Sequence, residues 1–443
     1  MANVALVVLD TLRKDSFDNA FDWLPGRRFT NAYSTGSFTV PAHASLFAGK
    51  YPSELGVHSK NRNLDCSEPT LAELISNSGY NTKSYSCNPY ISNAFGFDRG
   101  FNDFCGSWRL KHLDPDLFDW KSFISETRDD GPTRYLKALW GCVTGDCETI
   151  SSLKHGLHLK TRGMDLFDNG IRDDGAEECL EYIRNETFDS DEFLFINLME
   201  AHAPYVPPQE YRTVELGKSP GLFESISGSV DADPETVRQA YEDSVKYLSD
   251  IYKKIFEELS DDFDYIITLG DHGEMFGNHG MWTHVHGVYP ELTHIPLVIS
   301  GDGVSGTEET PVSLLDVHRT VLNITGVEAE SRGQDLLDDV SQVGRITEYH
   351  GLIQDQVYRL SQQDISDDLI DKYDSELRGV LLAGGYYGYE TVDGFMEVGK
   401  SVDDPQERLS EIIADLSVRE VESESTEKLS QETLDQLEDL GYA

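Results

Sequence analysis

The sequence predicts an α/β fold: a mostly parallel sheet with helices on both faces, accompanied by a smaller α+β unit. Three observations carry this. Short continuous apolar runs recur, helical patterns fall between them, and glycine or proline marks the joints. The first run, residues 3–9, is apolar at every position after Asn3, as a strand buried on both faces must be. Residues 41–48 read as a short helix with Pro41 in its first position and Gly49 at its end. A second helix over 70–78 is stopped by Gly79, and 81–87 returns as a strand. Helical spacing resumes at 175–184, and 192–199 is another fully buried strand. Asp233-Pro234-Glu235 announces the longest helix with an N-cap, a proline and a first-turn acid. Val237, Tyr241, Val245, Leu248, Ile251, Ile255 and Leu259 then place one face in the core. Residues 265–269 and 295–299 add two strands, and 313–325 is a helix ended by Gly326.

Near residue 340 the pattern changes. Gly384-Gly385 and Asp393-Gly394 punctuate Tyr, Leu and Val runs between 378 and 399, which predicts antiparallel hairpins. A helix from Pro405, an acidic spacer at 422–428 and a short helix ending at Gly441 complete the chain. The expected organisation is a domain over 1–335, with an irregular insertion over the sheet at 105–170, and a hairpin-and-helix subdomain over 336–443.

Composition excludes several classes. Among 443 residues, 39% are hydrophobic and 10% aromatic, enough for a sizeable core and too many for a disordered chain. Against 36 basic residues stand 80 acidic ones, a net charge of −44, which disfavours a non-specific binder of nucleic acid or anionic membrane. The acids are spread along the chain, as suits a salt-loaded cytoplasm where ions screen their repulsion. No basic leader precedes the first apolar run and no stretch approaches ~20 apolar residues, so a cytoplasmic protein without a membrane span is expected. Six cysteines without a CxxC pair read as reduced thiols, a Cys142–Cys147 bridge being the other option.

The chemistry-bearing residues sit at strand ends. Asp10 follows the first strand, and Asp271-His272-Gly273 follows the strand at 265–269. Ligands of open α/β sheets collect at the carboxyl ends of strands, and two carboxylates with an imidazole suit Mg²⁺, Ca²⁺, Mn²⁺ or Zn²⁺. Thr39 precedes the proline-marked helix, whose N-terminus favours an anion. Its hydroxyl is either a helix cap or a nucleophile that a metal activates. Of 13 histidines, His202, His272, His279, His284, His286 and His294 crowd into or beside 201–205 and 271–294, as ligands or proton donors would.

Val-Val-Leu-Asp10-Thr11-Leu12-Arg13, Thr39-Val-Pro41-Ala-His43, Met199-Glu-Ala-His202-Ala-Pro-Tyr205, Gly270-Asp271-His272-Gly273-Glu and His279-Gly-Met-Trp occur in this order. The set resembles the sulfatase family within the alkaline phosphatase superfamily. That resemblance implies an α/β/α sandwich and metal-dependent hydrolysis of a sulfate or phosphate ester, on a small molecule or a glycan. By position, Asp10, Asp271 and His272 match the family's metal ligands and Thr39 its nucleophile, which also binds the metal. His202 matches the histidine that contacts the ester or protonates the leaving oxygen, and His284 or His286 stands where many members carry a substrate-binding lysine. The cation would be Ca, Mg, Mn or Zn, as one ion or two. A second ion would fall to His202 with His284 or His286, and Glu200.

The departures carry information too. Sulfatases have a Cys or Ser at the position of Thr39, oxidised to an aldehyde that threonine cannot give, because its β-carbon already bears a methyl. His43 replaces an arginine and Thr11 an aspartate. These changes resemble the threonine-dependent branch of the superfamily, with its phosphodiesterases, phosphonate hydrolases, and phosphoglycerol or phosphoethanolamine transferases. In all of these readings Arg13, His43 and the helix N-terminus would stabilise charge developing on the ester oxygens. A reading of another class is a catalytically lost protein that binds a sulfated glycan.

Overall fold

The structure is a computed structural model and describes residues 2–107, scattered positions between 110 and 156, and 174–421 apart from 190, 218, 219, 229, 231 and 364. Among the described residues fifteen strands form three sheets: β1 Val4–Leu9, β2 Arg27–Phe29, β3 Ala32–Tyr33, β4 Asn81–Ser86, β5 Asp103–Gly106, β6 Glu192–Leu198, β7 Tyr265–Leu269, β8 His294–Ile295, β9 Leu297–Gly301, β10 Gly306–Glu308, β11 Val312–Ser313, β12 Arg345–Tyr349, β13 Leu377–Leu382, β14 Tyr386–Thr391 and β15 Gly394–Val398. The main sheet has the order β10-β2-β9-β7-β1-β6-β4-β5. Its central strands β7, β1, β6 and β4 run parallel, and β9 alone is antiparallel to both of its neighbours. The strand expected at 295–299 is thereby split: Pro296 has no N–H for a ladder, so Ile295 pairs in a small sheet with β3 and β11 while Leu297 onward joins β7.

Both faces of β1 are buried, which explains its unbroken apolar run. Val4, Leu6 and Val8 face one core with the helices Thr39–Ala48, Leu71–Asn77 and Leu314–Thr325. Ala5, Val7 and Leu9 face the other, under Ala176–Asn185 and the long helix Pro234–Asp262. In that helix the Asp233 side chain accepts the Thr236 N–H at 3.1 Å, as the sequence signal required, and Val245, Leu248, Ile251 and Ile255 are buried. Each such side chain contributes about 1.5–3 kcal/mol on burial.

Two expected boundaries shift. The helix expected from Pro41 begins at Thr39, so Pro41 sits third, where its missing N–H still leaves no hydrogen bond broken. Part of the stretch expected as irregular insertion is ordered secondary structure: Asp103–Gly106 is the edge strand β5, paired with β4, and Arg134–Thr144 is a helix. Other positions of 105–170, the acidic spacer at 422–428 and the helix expected to end at Gly441 lie outside the described residues. All six cysteines are free thiols. No helix among the described residues is long and apolar enough to cross a membrane.

The hairpins form as the turn signals predict, in an antiparallel sheet β12-β13-β14-β15. This sheet packs on β3 and on the segments that follow β7. Tyr349, Leu377, Leu381, Tyr387 and Tyr389 share a core with Tyr33, Met275, Met281 and Leu292. The Glu348 N–H donates to the Thr35 carbonyl at 2.9 Å, Thr347 Oγ1 donates to the Ser34 carbonyl at 2.6 Å, and Glu348 bridges to Gly36. The segment leading into the Thr39 helix is therefore held by β12.

Beyond β12 lies a buried ion pair with a pH signature. His350 Nε2 is 3.4 Å from Glu348 Oε2, and the His58 ring stacks on His350 at 4.1 Å. Burial opposes the charge on His350, but its bonds to Glu348 and Glu376 raise its pKa above 6.5; Glu348, with burial again outweighed, falls below 4.5. The imidazolium stabilises the fold below pH 6.5 and loses that contribution as pH rises through its raised folded value. The carboxylate contributes above pH 4.5 and loses it as pH falls through its lowered value. Both act between, so the loss of melting temperature in His350→Gln is expected to be largest near about pH 5.5 and to shrink at a pH above the raised His350 value. Equal losses in melts at both pH values would contradict this assignment.

Candidate metal centre and nucleophile

Four parallel strands bring their carboxyl ends to one edge of the sheet, and the loops leaving them build the site. Leu9 of β1 is level with Leu198 of β6, and Val8 with Leu269 of β7. Asp10 and Asp271 therefore emerge side by side. Both are fully buried, as is His272. One ligand atom from each of Asp10, Asp271 and His272 falls within 4.8 Å of the others, and no other group of this kind occurs among the described residues.

Thr39 joins this cluster from the opposite side, as the first residue of its helix and 2% exposed. Its Oγ1 lies 3.3 Å from His272 Nε2. The helix N-cap is Phe38, whose side chain cannot cap, so the N-terminus carries no side-chain acceptor. The loop after β1 is pinned by Tyr241 of the long helix, whose hydroxyl accepts the Arg13 N–H at 2.8 Å and donates to the Thr11 carbonyl at 2.9 Å. Thr11 adopts a left-handed backbone, φ 61°. From there its N–H reaches Asp271 Oδ1 at 3.2 Å and its hydroxyl donates to Asp10 Oδ1 at 2.7 Å.

The protons of the imidazoles follow from their neighbours, because a carbonyl only accepts. His272 Nδ1 is 3.0 Å from the Gly273 carbonyl, and His43 Nδ1 is 2.9 Å from the Thr39 carbonyl. Each Nδ1 therefore carries the hydrogen and each Nε2 is a bare lone pair. In His272 that lone pair faces Thr39. Burial holds His272 neutral, its pKa pushed down to about 3, and His43 likewise at about 4.

Does this set fit a divalent cation? Burial and the neighbouring Asp10 charge push the Asp271 carboxyl well above the usual carboxylate range, while for Asp10 the burial cost is outweighed by His272, His202, His43 and the Thr11 hydroxyl. Asp271 Oδ2 is buried and accepts no hydrogen bond. Two adjoining carboxylates short of positive charge, a bare imidazole nitrogen and an orphaned oxygen are what a divalent cation would satisfy. The residues present fit the group.

The remaining candidates are placed as follows. His202 is buried, with Nδ1 on the Ala203 carbonyl at 2.8 Å, and its ring is 5.1 Å from that of His284. The His284 ring lies 4.6 Å from that of His272, tilted by 42°, and is held by Glu274, whose carboxylate also accepts the Tyr205 hydroxyl at 2.7 Å. Of the pair His284 and His286, the structure brings His284 to the cluster. His286 instead points into an aromatic nest, with Nδ1 at 3.2 Å from the Tyr349 hydroxyl and its ring against Tyr373. Hydrogen bonds of the Arg13 guanidinium go to Asp15 and the Glu274 carbonyl rather than to Thr39. His43 Nε2 accepts from Asn197. Glu200, considered for a second ion, accepts the Ala176 N–H at 2.8 Å, at the start of the helix Ala176–Asn185. His279 meets Glu291 at 3.3 Å, and His294 Nε2 meets the Thr30 carbonyl.

The parts that three residues play in this site went unread in the sequence. Asn88 follows β4 and bonds Asp10, Glu274 holds His284, and Tyr241 ties down the first loop. Only Glu274 had a local signal, being the acid that ends Gly270-Asp271-His272-Gly273-Glu274.

The model of the sulfatase family matches residues 3–327. A choline-sulfatase of Rhizobium meliloti is 24% identical over 371 residues, covering 74% of this chain and 68% of that protein. A low-salt glycan biosynthesis sulfotransferase of Haloferax volcanii is 26% identical over 254 residues, 47% of this chain and 61% of the relative. The chain thus spans about two thirds of the length of these relatives. A phosphonate monoester hydrolase of Silicibacter pomeroyi superposes with a TM-score of 0.63 at 17% identity, over 94% of each chain, a likeness of fold. With a family match over most of its length, the chain belongs to the sulfatase family, as a hydrolase.

Proposed function

We propose that the protein cleaves a sulfate or phosphate ester with Thr39 as nucleophile and Asp10, Asp271, His272 and Thr39 as the holders of one divalent cation. The observation that carries this is the 3.3 Å approach of Thr39 Oγ1 to His272 Nε2, which sets a hydroxyl at the cation site and at a bare helix N-terminus. A cation bound there supplies positive charge that favours loss of the threonine proton and offsets charge on the ester oxygens. The Thr39 oxygen, its proton passed to water, forms a bond to sulfur or phosphorus in line as the bond to the leaving alcohol breaks. Helix N–H groups face the non-bridging oxygens. His284, whose charged form Glu274 favours against the cost of burial, stands beside the cluster and gives a proton to the departing oxygen, and water then hydrolyses the threonine ester.

Among the described residues only one group of ligands converges, and Glu200 is engaged by a helix; both support one ion rather than a pair. An alcohol acceptor in place of water turns the same site into a transferase. The Haloferax sulfotransferase among its relatives supports that second reading.

The cation assignment is tested by calorimetry on metal-stripped protein. Asp271→Asn keeps the shape and removes the charge, and is expected to weaken cation affinity beyond the ~10–100-fold that losing a mere outer partner costs. Unchanged affinity would remove Asp271 from the ligand set. A panel of 4-nitrophenyl sulfate, 4-nitrophenyl phosphate, its diester and a phenylphosphonate monoester then ranks the substrate classes on reloaded protein.

A further inference from the structure

Asn88 stands two residues beyond β4 and is fully buried. Its side-chain amide donates to Asp10 Oδ2 at 2.7 Å and, at the long end of the range, to Thr39 Oγ1 at 3.4 Å. The orientation of that amide is fixed from behind. The Tyr90 N–H donates to Asn88 Oδ1 at 2.9 Å, and the Asn88 backbone N–H donates to Ser86 Oγ at 3.2 Å. With the oxygen so engaged, Nδ2 has to face the site, and a carboxylate that only accepts demands the same assignment. One amide hydrogen serves Asp10 and the other Thr39.

The neighbouring bonds then settle the hydroxyl. His272 Nε2 is a lone pair, so Thr39 donates its hydrogen there and accepts from Asn88. We propose that Asn88 is a positioning residue for the threonine nucleophile: its amide holds Thr39 Oγ1 beside the Asp10 carboxylate and keeps donating to that oxygen as it becomes negative. The proposal rests on Thr39 being the nucleophile. A hydrogen bond donated to an ionising oxygen favours the ionised form, and a donor already in place needs no reorganisation during reaction. Neutrality suits the position. A cationic side chain there would compete with a divalent ion for Asp10, and a carboxylate would repel Asp10 while offering Thr39 no hydrogen.

The test compares Asn88→Ala and Asn88→Asp with the parent. In Asn88→Ala, kcat is expected to fall about 10²-fold or more, the effect of losing one pre-placed donor. KM is expected to stay within about threefold, since the group acts chiefly as charge develops, and the calorimetric cation affinity to fall by no more than the ~10–100-fold that losing an outer partner of Asp10 costs. Asn88→Asp should lose at least as much kcat and also alter cation affinity. A structural readout is independent of activity: in crystals of metal-free protein Thr39 takes one χ1 rotamer in the parent and more than one in Asn88→Ala. Parental kcat in Asn88→Ala overturns the proposal, as does a lower kcat with the Thr39 rotamer unmoved. Should the alanine variant not fold, Asn88→Ser gives the same comparison with a smaller gap. Thr39→Ala separates this inference from the one beneath it. Activity surviving in Thr39→Ala removes the nucleophile itself, whereas an inactive Thr39→Ala beside a fully active Asn88→Ala overturns the role of Asn88 alone.

Discussion

Thr39→Ala is expected to lower turnover of the best ester substrate by at least about 10³-fold while the protein still folds and still binds a cation. The size of the loss follows from the residue's place. Thr39 begins a helix whose ten residues are all buried, and its Oγ1 lies 3.3 Å from His272 Nε2. Alanine is a good helix former, so removing the hydroxyl leaves the backbone undisturbed. Asp10, Asp271 and His272 remain as three cation ligands. Thr39→Ser restores the oxygen and should keep activity within about tenfold of the parent, because only a methyl is lost. The measurement is steady-state hydrolysis beside calorimetric cation binding, on variants whose melting curves match the parent. Parental turnover in Thr39→Ala would sink the nucleophile assignment, and loss of cation binding together with turnover would make Thr39 chiefly a ligand.

The largest expected effect on stability lies elsewhere, at Arg345. Its Nη2 sits 2.6 Å from Asp316 Oδ1, with both side chains almost completely buried. Asp316 also accepts the N–H groups of Ser313 and Gln334, each at 2.7 Å, at the start of the helix Leu314–Thr325. Arg345→Met keeps the bulk and leaves a buried carboxylate without its cation, a change that costs about 3–5 kcal/mol. The double variant with Asp316→Asn should recover part of this, since the stranded charge is then gone. Urea denaturation at neutral pH checks both. A loss below about 1 kcal/mol would mean that the helix N-terminus and the two N–H groups already satisfy Asp316.

Much of this molecule was legible from one dimension because β1, β6 and β7 are buried on both faces. Such strands read as uninterrupted apolar runs, and the first acid after each run marks the sheet edge where Asp10 and Asp271 stand. The long helix was legible for the complementary reason, one apolar face and an Asp233-Pro234 start. Other features were set by distant neighbours. Strand β5 is four residues, Asp-Phe-Cys-Gly, with no alternation to announce it, and it exists because β4 offers an edge. The reversal of β9 comes from pairing, and only Pro296 hinted at the break. Asn88 in Cys-Asn-Pro-Tyr has the composition of a turn. Its meaning depends on β4 lying beside β6 in a register that carries residue 88 to Asp10. Choosing between His284 and His286 required knowing that Glu274 and Tyr349 draw them to opposite sides.

The strap formed by β12 bears on how the chain can be divided. The family match ends at residue 327, and every residue proposed to touch ester or cation lies before it. Yet Thr35 and Gly36, which lead into the Thr39 helix, are hydrogen-bonded or bridged to Glu348, and Ser34 to Thr347. A fragment cut at the end of the recognised region would keep all the chemical groups and lose the brace that aims one of them. For protein engineering, the unit to move between hosts or to fuse to a partner is therefore set by that strap, and it extends through the hairpins rather than stopping where sequence similarity fades.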